Sequence, residues 1–155
     1  GRSLWNHPQI AEAKALVQRS LSSSQVGSYT LQAAIAAVHS EASSTRETDW
    51  AQIVALYDLL MQAERSPIVE LNRAVAVAMR DGFLAGLQQI DDILARGDLA
   101  EYHLAHAARA DFCRRLGRVD DARTAYQQAL TLVKQEPERR FLQKRLRELD
   151  DRVNN

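Results

Sequence analysis

The chain has 155 residues, with 20 Lys and Arg against 20 Asp and Glu, a formal net charge of zero. That length allows one domain or two small ones, and the charge balance argues against a nucleic-acid module, which is usually basic on one face. Apolar residues make up 46%, enough for a real core and against wholesale disorder. The lone cysteine, Cys113, excludes an internal disulfide and a cysteine-based zinc site. No apolar run approaches the ~20 residues of a membrane span, and no secretory leader opens the chain. A reducing, cytoplasmic home is expected. The first residue is Gly1, not Met, which fits either a fragment with domains upstream or a residue left by a cleaved tag.

Helix start and stop signals divide the sequence into about eight helical segments. Asn6-His7-Pro8 reads as a cap followed by a first-turn proline, whose fixed φ is already helical. Ile10, Ala13, Leu16, Val17 and Leu21 then recur at helical spacing until Ser22-Ser23-Ser24. A second segment follows Gly27-Ser28, with Leu31, Ala34, Ile35 and Val38 apolar. Thr48 is expected to cap a third, whose Trp50, Ile53, Leu56, Tyr57 and Leu60 share one side. Ser66-Pro67 repeats the cap-plus-proline device, and Glu70 sits early in that fourth helix, where the dipole favours it. Asp81-Gly82 stops it. A fifth helix runs from Phe83 to Ala95, a sixth from about Leu99 to Leu116 with Gly117 as its C-terminal glycine, and a seventh carries Ala122, Tyr126, Ala129 and Leu130. Pro137 opens a charged eighth that ends near Asp151, with Phe141, Leu142, Leu146 and Leu149 as its apolar stripe. No sustained alternation of period two is present. The fold class is all-α, in one domain over 1–155.

One register repeats. Arg73 and Arg109, Ala74 and Ala110, Gly86 and Ala122, Ile90 and Tyr126, and Ile93 and Ala129 all lie 36 residues apart. Ile53, Tyr57 and Leu60 precede Gly86, Ile90 and Ile93 by 33. A fixed period in this range marks stacked helix pairs. Stretches such as Leu116-Gly117-Arg118-Val119-Asp120-Asp121-Ala122 and Ala125-Tyr126-Gln127-Gln128-Ala129-Leu130 resemble the tetratricopeptide repeat. The resemblance implies antiparallel helix pairs in a right-handed solenoid, a surface that mostly binds proteins or peptides. His106 stands where such repeats usually place an aromatic.

Several blocks together resemble a more specific family. They are Gly27-Ser28-Tyr29-Thr30-Leu31-Gln32-Ala33-Ala34-Ile35-Ala36-Ala37-Val38-His39, Thr48-Asp49-Trp50-Ala51-Gln52-Ile53, Leu56-Tyr57-Asp58, Ser66-Pro67-Ile68-Val69-Glu70-Leu71-Asn72-Arg73-Ala74-Val75-Ala76-Val77-Ala78 and Tyr102-His103-Leu104-Ala105-His106-Ala107-Ala108-Arg109-Ala110-Asp111. In order and spacing they look like the C-terminal, tetratricopeptide-like extension of bacterial extracytoplasmic-function sigma factors. That resemblance implies an RNA polymerase subunit whose promoter-reading regions lie upstream, and a regulatory, protein-contacting role for this segment. The implied partners are the sigma factor's own domains, the polymerase or a regulator, with no direct DNA binding, no membrane and no cofactor.

Candidate sites carry bland readings beside the sharper ones. His103 and His106 share one side of a helix at a spacing that suits two metal ligands, but a third ligand is missing; packing is the preferred reading. His39 with Glu41 or Asp49 suggests acid–base chemistry, yet no nucleophile motif or phosphate loop accompanies it, and no enzymatic role is expected. Asn72, Arg73 and Arg109 interrupt apolar or alanine-rich stretches. A buried guanidinium needs a partner, so internal pairing with Asp or Glu, or with carbonyls at helix ends, is preferred over a concave patch that grips a carboxylate. Tyr102 is placed to rim either site. Asn72, Arg73, Tyr102, His103, His106 and Arg109 are therefore the candidate partner-binding residues. Two other readings stay open: a free-standing adaptor, and a ligand-sensing domain with a pocket lined by Arg73, Tyr102, His106 and Arg109. Trp5 and Trp50 read as packing anchors. The basic residues of the last helix read as a solvated outer surface rather than a DNA-touching face.

Overall fold

In a computed structural model of the chain, residues 49–154 are described. They form six helices and no strand: α1 (Trp50–Ala63), α2 (Pro67–Asp81), α3 (Phe83–Ala95), α4 (His103–Arg115), α5 (Val119–Leu132) and α6 (Glu136–Asn154). The all-α class stands. The two expected segments around Ile10–Leu21 and Leu31–Val38, together with Trp5 and His39, lie outside the described residues. None of the described helices is long and apolar enough to cross a membrane. The chain divides into two compact units, Gly1–Arg80 and Asp81–Asn155.

In the first unit, α1 starts one residue later than its expected cap. Asp49, not Thr48, occupies the N-cap, and its carboxylate accepts from Gln52 N–H at 3.1 Å, satisfying one of the orphan donors of the first turn. The serine ahead of α2 works as expected: Ser66 Oγ accepts from Val69 N–H at 3.1 Å, while Pro67 stands where no amide hydrogen is needed. Ile53, Val54, Leu56 and Leu60 of α1 are buried, as are Val69, Leu71, Ala74, Ala76, Val77 and Ala78 of α2. Tyr57 is half-buried, and burial pushes its hydroxyl above the usual tyrosine pKa.

In the second unit each helix packs on the next, α3 on α4, α4 on α5 and α5 on α6. Phe83 at the start of α3 meets Phe112 near the end of α4, ring centroids 5.5 Å apart and tilted by 44°. The Arg115 guanidinium lies 4.9 Å over the Phe83 ring. Arg123 in the first turns of α5 bonds Asp150 near the end of α6. Both pairs therefore run in opposite directions.

The α3–α4 connection differs from expectation. Gly97 adopts φ +83° and donates to Leu94 O at 2.9 Å, closing α3 with a left-handed residue that costs glycine little. A turn then occupies residues 96–101, and Tyr102 is extended at φ −99°, ψ 110°. Helix α4 thus begins at His103, four residues after the expected Leu99, because the extended Tyr102 breaks helical continuity. Leu99 is still buried within the turn.

The end of α4 follows the sequence closely. Arg118 N–H donates to Cys113 O at 2.8 Å, Gly117 N–H donates to Arg114 O at 3.1 Å, and Gly117 has φ +76°. This double bond pattern is the Schellman closure that a glycine one residue past the C-cap permits.

The repeat register is reproduced as burial. Ala74 and Ala110, Gly86 and Ala122, Ile90 and Tyr126, and Ile93 and Ala129 are buried at both members of each pair. Helix starts keep the same rhythm: Trp50, Phe83 and Val119 are 33 and 36 apart, and Pro67, His103 and Glu136 are 36 and 33 apart. One position departs. Phe141, read as part of the apolar stripe of α6, is 55% exposed, whereas Leu142 and Leu149 are buried at 3% and 1%. Residues 142 and 149 are seven apart and fall on the α5-facing side; residue 141 is rotated about 100° from that side.

Candidate functional site

Each of the two candidate arginines is engaged by an aspartate of the preceding helix. In the first unit, Arg73 Nε of α2 donates to Asp58 Oδ1 of α1 at 2.6 Å. In the second, Arg109 Nε of α4 donates to Asp91 Oδ1 of α3 at 2.7 Å. Burial lowers the Arg109 pKa, but the hydrogen bond and charge of Asp91 outweigh it, so the group sits above its usual value and stays charged. Asp58 and Asp91 are 33 apart, directly after the repeat positions Tyr57 and Ile90. Neither was among the candidate residues. The signal that could have found them is that same offset of 33, extended by one residue.

The candidate histidines share a helix but not a task. His106 Nε2 lies 2.8 Å from Ala100 O and ties α4 to the turn before it. His103 Nε2 lies 2.6 Å from Glu138 Oε2 of α6. That contact is off the line a hydrogen bond requires, so it acts as a charge contact when the imidazole is protonated. Tyr102 packs its ring edge-on against His103, centroids 5.7 Å apart. Asn72 is exposed on α2. Asn72 and Arg73 belong to the first unit; Tyr102, His103, His106 and Arg109 belong to the second. Among the described residues no group of three or more His, Cys, Asp and Glu side chains is placed to hold a metal ion.

A further network, unforeseen in the sequence, joins α4 to α5. Arg114 Nη2 donates to Asp111 Oδ1 at 2.6 Å, and Arg115 Nε donates to Asp111 Oδ2 at 3.0 Å. Arg114 also bonds the buried Tyr126 hydroxyl. Burial raises the Tyr126 pKa, with Arg114 opposing. Cys113 is fully buried beside this network. Burial raises its thiol pKa, and the Arg109 charge opposes that rise.

On α6 the carboxylates turn toward neighbours. Glu138 reaches His103, Glu148 takes Arg145 at 3.1 Å, and Asp150 takes Arg123 at 3.0 Å. Glu136 lies 3.7 Å from Arg139 and 3.5 Å from Arg140. Arg145 also lies 5.1 Å over the exposed Phe141 ring.

No family model matches the chain, and no solved structure matches it. An uncharacterised protein of Rhizobium meliloti (strain 1021) is 38% identical over 145 residues, covering 94% of this chain and 34% of the relative. The chain thus spans about a third of the length of the curated relative it matches.

Proposed function

We propose that this chain is the regulatory, protein-contacting part of a bacterial extracytoplasmic-function sigma factor, built from tetratricopeptide-like helix pairs and working in the cytoplasm. It acts without catalysis of its own, by contacts with other sigma regions, the polymerase or a regulator. The observation that carries the repeat reading is the equivalent arginine–aspartate tie in two successive helix pairs, Asp58–Arg73 and Asp91–Arg109. Helix starts spaced 33–36 residues apart support it, since that spacing is the tetratricopeptide period. The sigma-factor reading rests on the ordered sequence blocks. It is compatible with a relative of which 145 aligned residues are 34%, hence about 430 residues long, with room for further domains.

The test is promoter-specific transcription in a purified system. Full-length protein should direct polymerase to its promoter, and a version lacking residues 5–155 should differ in output by severalfold in one direction. Loss of output marks the segment as a positive element, and a gain marks it as inhibitory. A full-length protein without promoter-directed activity would overturn the sigma-factor reading.

A further inference from the structure

The last helix is balanced in sequence but not on its outward side. Between Glu136 and Asn154 it carries six basic and five acidic residues. Four of the five carboxylates are engaged: Glu136 by Arg139 and Arg140, Glu138 by His103, Glu148 by Arg145, and Asp150 by Arg123. Arg140, Lys144 and Arg147 stand on the side opposite Leu142 and Leu149, and all three are exposed; Arg140 is 76% exposed. Their spacing of four and three residues puts them in one row about 10 Å long. Glu136 and Asp151 bracket the row, and Phe141 borders it, exposed and backed by Arg145.

We propose that this basic row, with Phe141 beside it, docks an acidic peptide segment that carries apolar side chains between its carboxylates. The inference rests on the protein-contacting role proposed above, not on the sigma-factor identity. Charge complementarity selects the occupant. A second copy of this helix would be disfavoured: in the two-fold antiparallel pairing that centres the row, Arg140 meets Arg147 and the two Lys144 lie one residue out of register with each other, and in a parallel one each cation meets itself. Duplex DNA is disfavoured because three cations on a chain of zero net charge fall short of the 6–10 phosphate contacts that strong backbone binding uses. A peptide carboxylate row of matching length satisfies Lys144 and Arg147 and shares Arg140 with Glu136, 3.5 Å away, and an apolar residue in it covers Phe141.

The experiment uses the 155-residue chain and a fluorescein-labelled synthetic peptide alternating paired glutamates with leucine, read by anisotropy. A Lys-for-Glu peptide and a labelled duplex DNA serve as comparisons. The acidic peptide should bind saturably, and raising salt from about 50 to about 300 mM should weaken it markedly as the charges are screened. A chain carrying Arg140→Gln, Lys144→Gln and Arg147→Gln should bind about tenfold more weakly or worse with an unchanged thermal transition, since three exposed charge contacts are lost together. Phe141→Ser should also weaken binding, and Arg118→Gln, an exposed cation at the start of α5, should not. Absence of saturable binding, or binding indifferent to the triple change, overturns the proposal. Tighter binding of duplex DNA through the same three residues overturns the assigned partner class. Because the readout is direct binding, a failure here leaves the transcription test untouched.

Discussion

Arg109 of α4 and Asp91 of α3 meet at 2.7 Å, Nε to Oδ1, and the same two atom types meet at 2.6 Å between Arg73 and Asp58 one repeat earlier. The arginine side chains are 25% and 29% exposed and the aspartate side chains 45% and 52%. These are tethers at the rim of the core, not ion pairs sealed within it. The third helix pair keeps a tie but reverses its polarity: Arg123 is on the first helix and Asp150 on the second.

That rim position sets a modest value for the tie. A fully buried guanidinium would cost 3–5 kcal/mol to leave unpaired. For this partly exposed pair, Arg109→Ala should cost about 1 kcal/mol, with a coupling to Asp91→Ala of about 0.5–1 kcal/mol in a double-mutant cycle. Urea unfolding of the two single variants and the double variant measures it. A coupling indistinguishable from zero would show that the 2.7 Å contact contributes nothing to folding.

Gly117 closes α4 at φ +76°, and a Cβ added there would meet no heavy atom within 4 Å. The cost of Gly117→Ala is therefore confined to the backbone, about 1 kcal/mol. Gly117→Asn should cost less, because asparagine tolerates the left-handed region better. Thermal unfolding of both variants checks the order.

Two adjacent residues of α6 should respond in opposite ways. Leu142→Ala removes a side chain that is 3% exposed and should cost about 2–4 kcal/mol. Phe141→Ser alters one that is 55% exposed and should change stability by about 0.5 kcal/mol or less. A comparable loss for both would contradict the orientation of α6.

The buried thiol and phenols give the protein an alkaline limit. Cys113, Tyr57 and Tyr126 all have pKa values raised by burial in the folded state. The folded state then holds protons that the unfolded chain has released. Stability from these groups is full below their unfolded values, about 8.5 for cysteine and 10 for tyrosine, and falls as pH rises above them. Denaturant midpoints should decline from about pH 8.5 upward. Cys113→Ala should flatten the first part of that decline, leaving the part above about pH 10 to the tyrosines.

Helix identity was legible in the sequence because punctuation and periodicity agreed. Ser66-Pro67, Asp81-Gly82 and Gly117 each mark a boundary that the structure keeps. The repeat offset of 36 placed small and large residues that are buried in matching positions, and at the offset of 33 Ile53 and Leu60 are buried while Tyr57 is half-buried. Boundaries failed where two signals competed: Thr48 and Asp49 are both good caps, and only the backbone decides between them. Leu99 is apolar for a turn, and its burial there depends on tertiary packing. Phe141 and Leu142 are equally apolar, and a one-residue difference in facing is finer than a stripe pattern resolves. Of the candidate site, acidic side chains were one of two partner types the sequence offered for Arg73 and Arg109, beside helix-end carbonyls, and Asp58 and Asp91 were not singled out. The separate ties of His103 and His106 required coordinates, because spacing shows that two rings share a side but not what each one reaches.

In the second unit the principal packing of each helix is against its neighbour in the chain. Structure made of such local closures needs only short loops to form before contacts reward them, because the entropic cost of closure rises with loop length. The α3–α6 segment should therefore fold fast, in the microsecond-to-millisecond range of low-contact-order helical proteins. Each helix has its packing partner within about 35 residues of chain, so the segment can acquire structure progressively as it leaves the ribosome rather than waiting for a distant terminus.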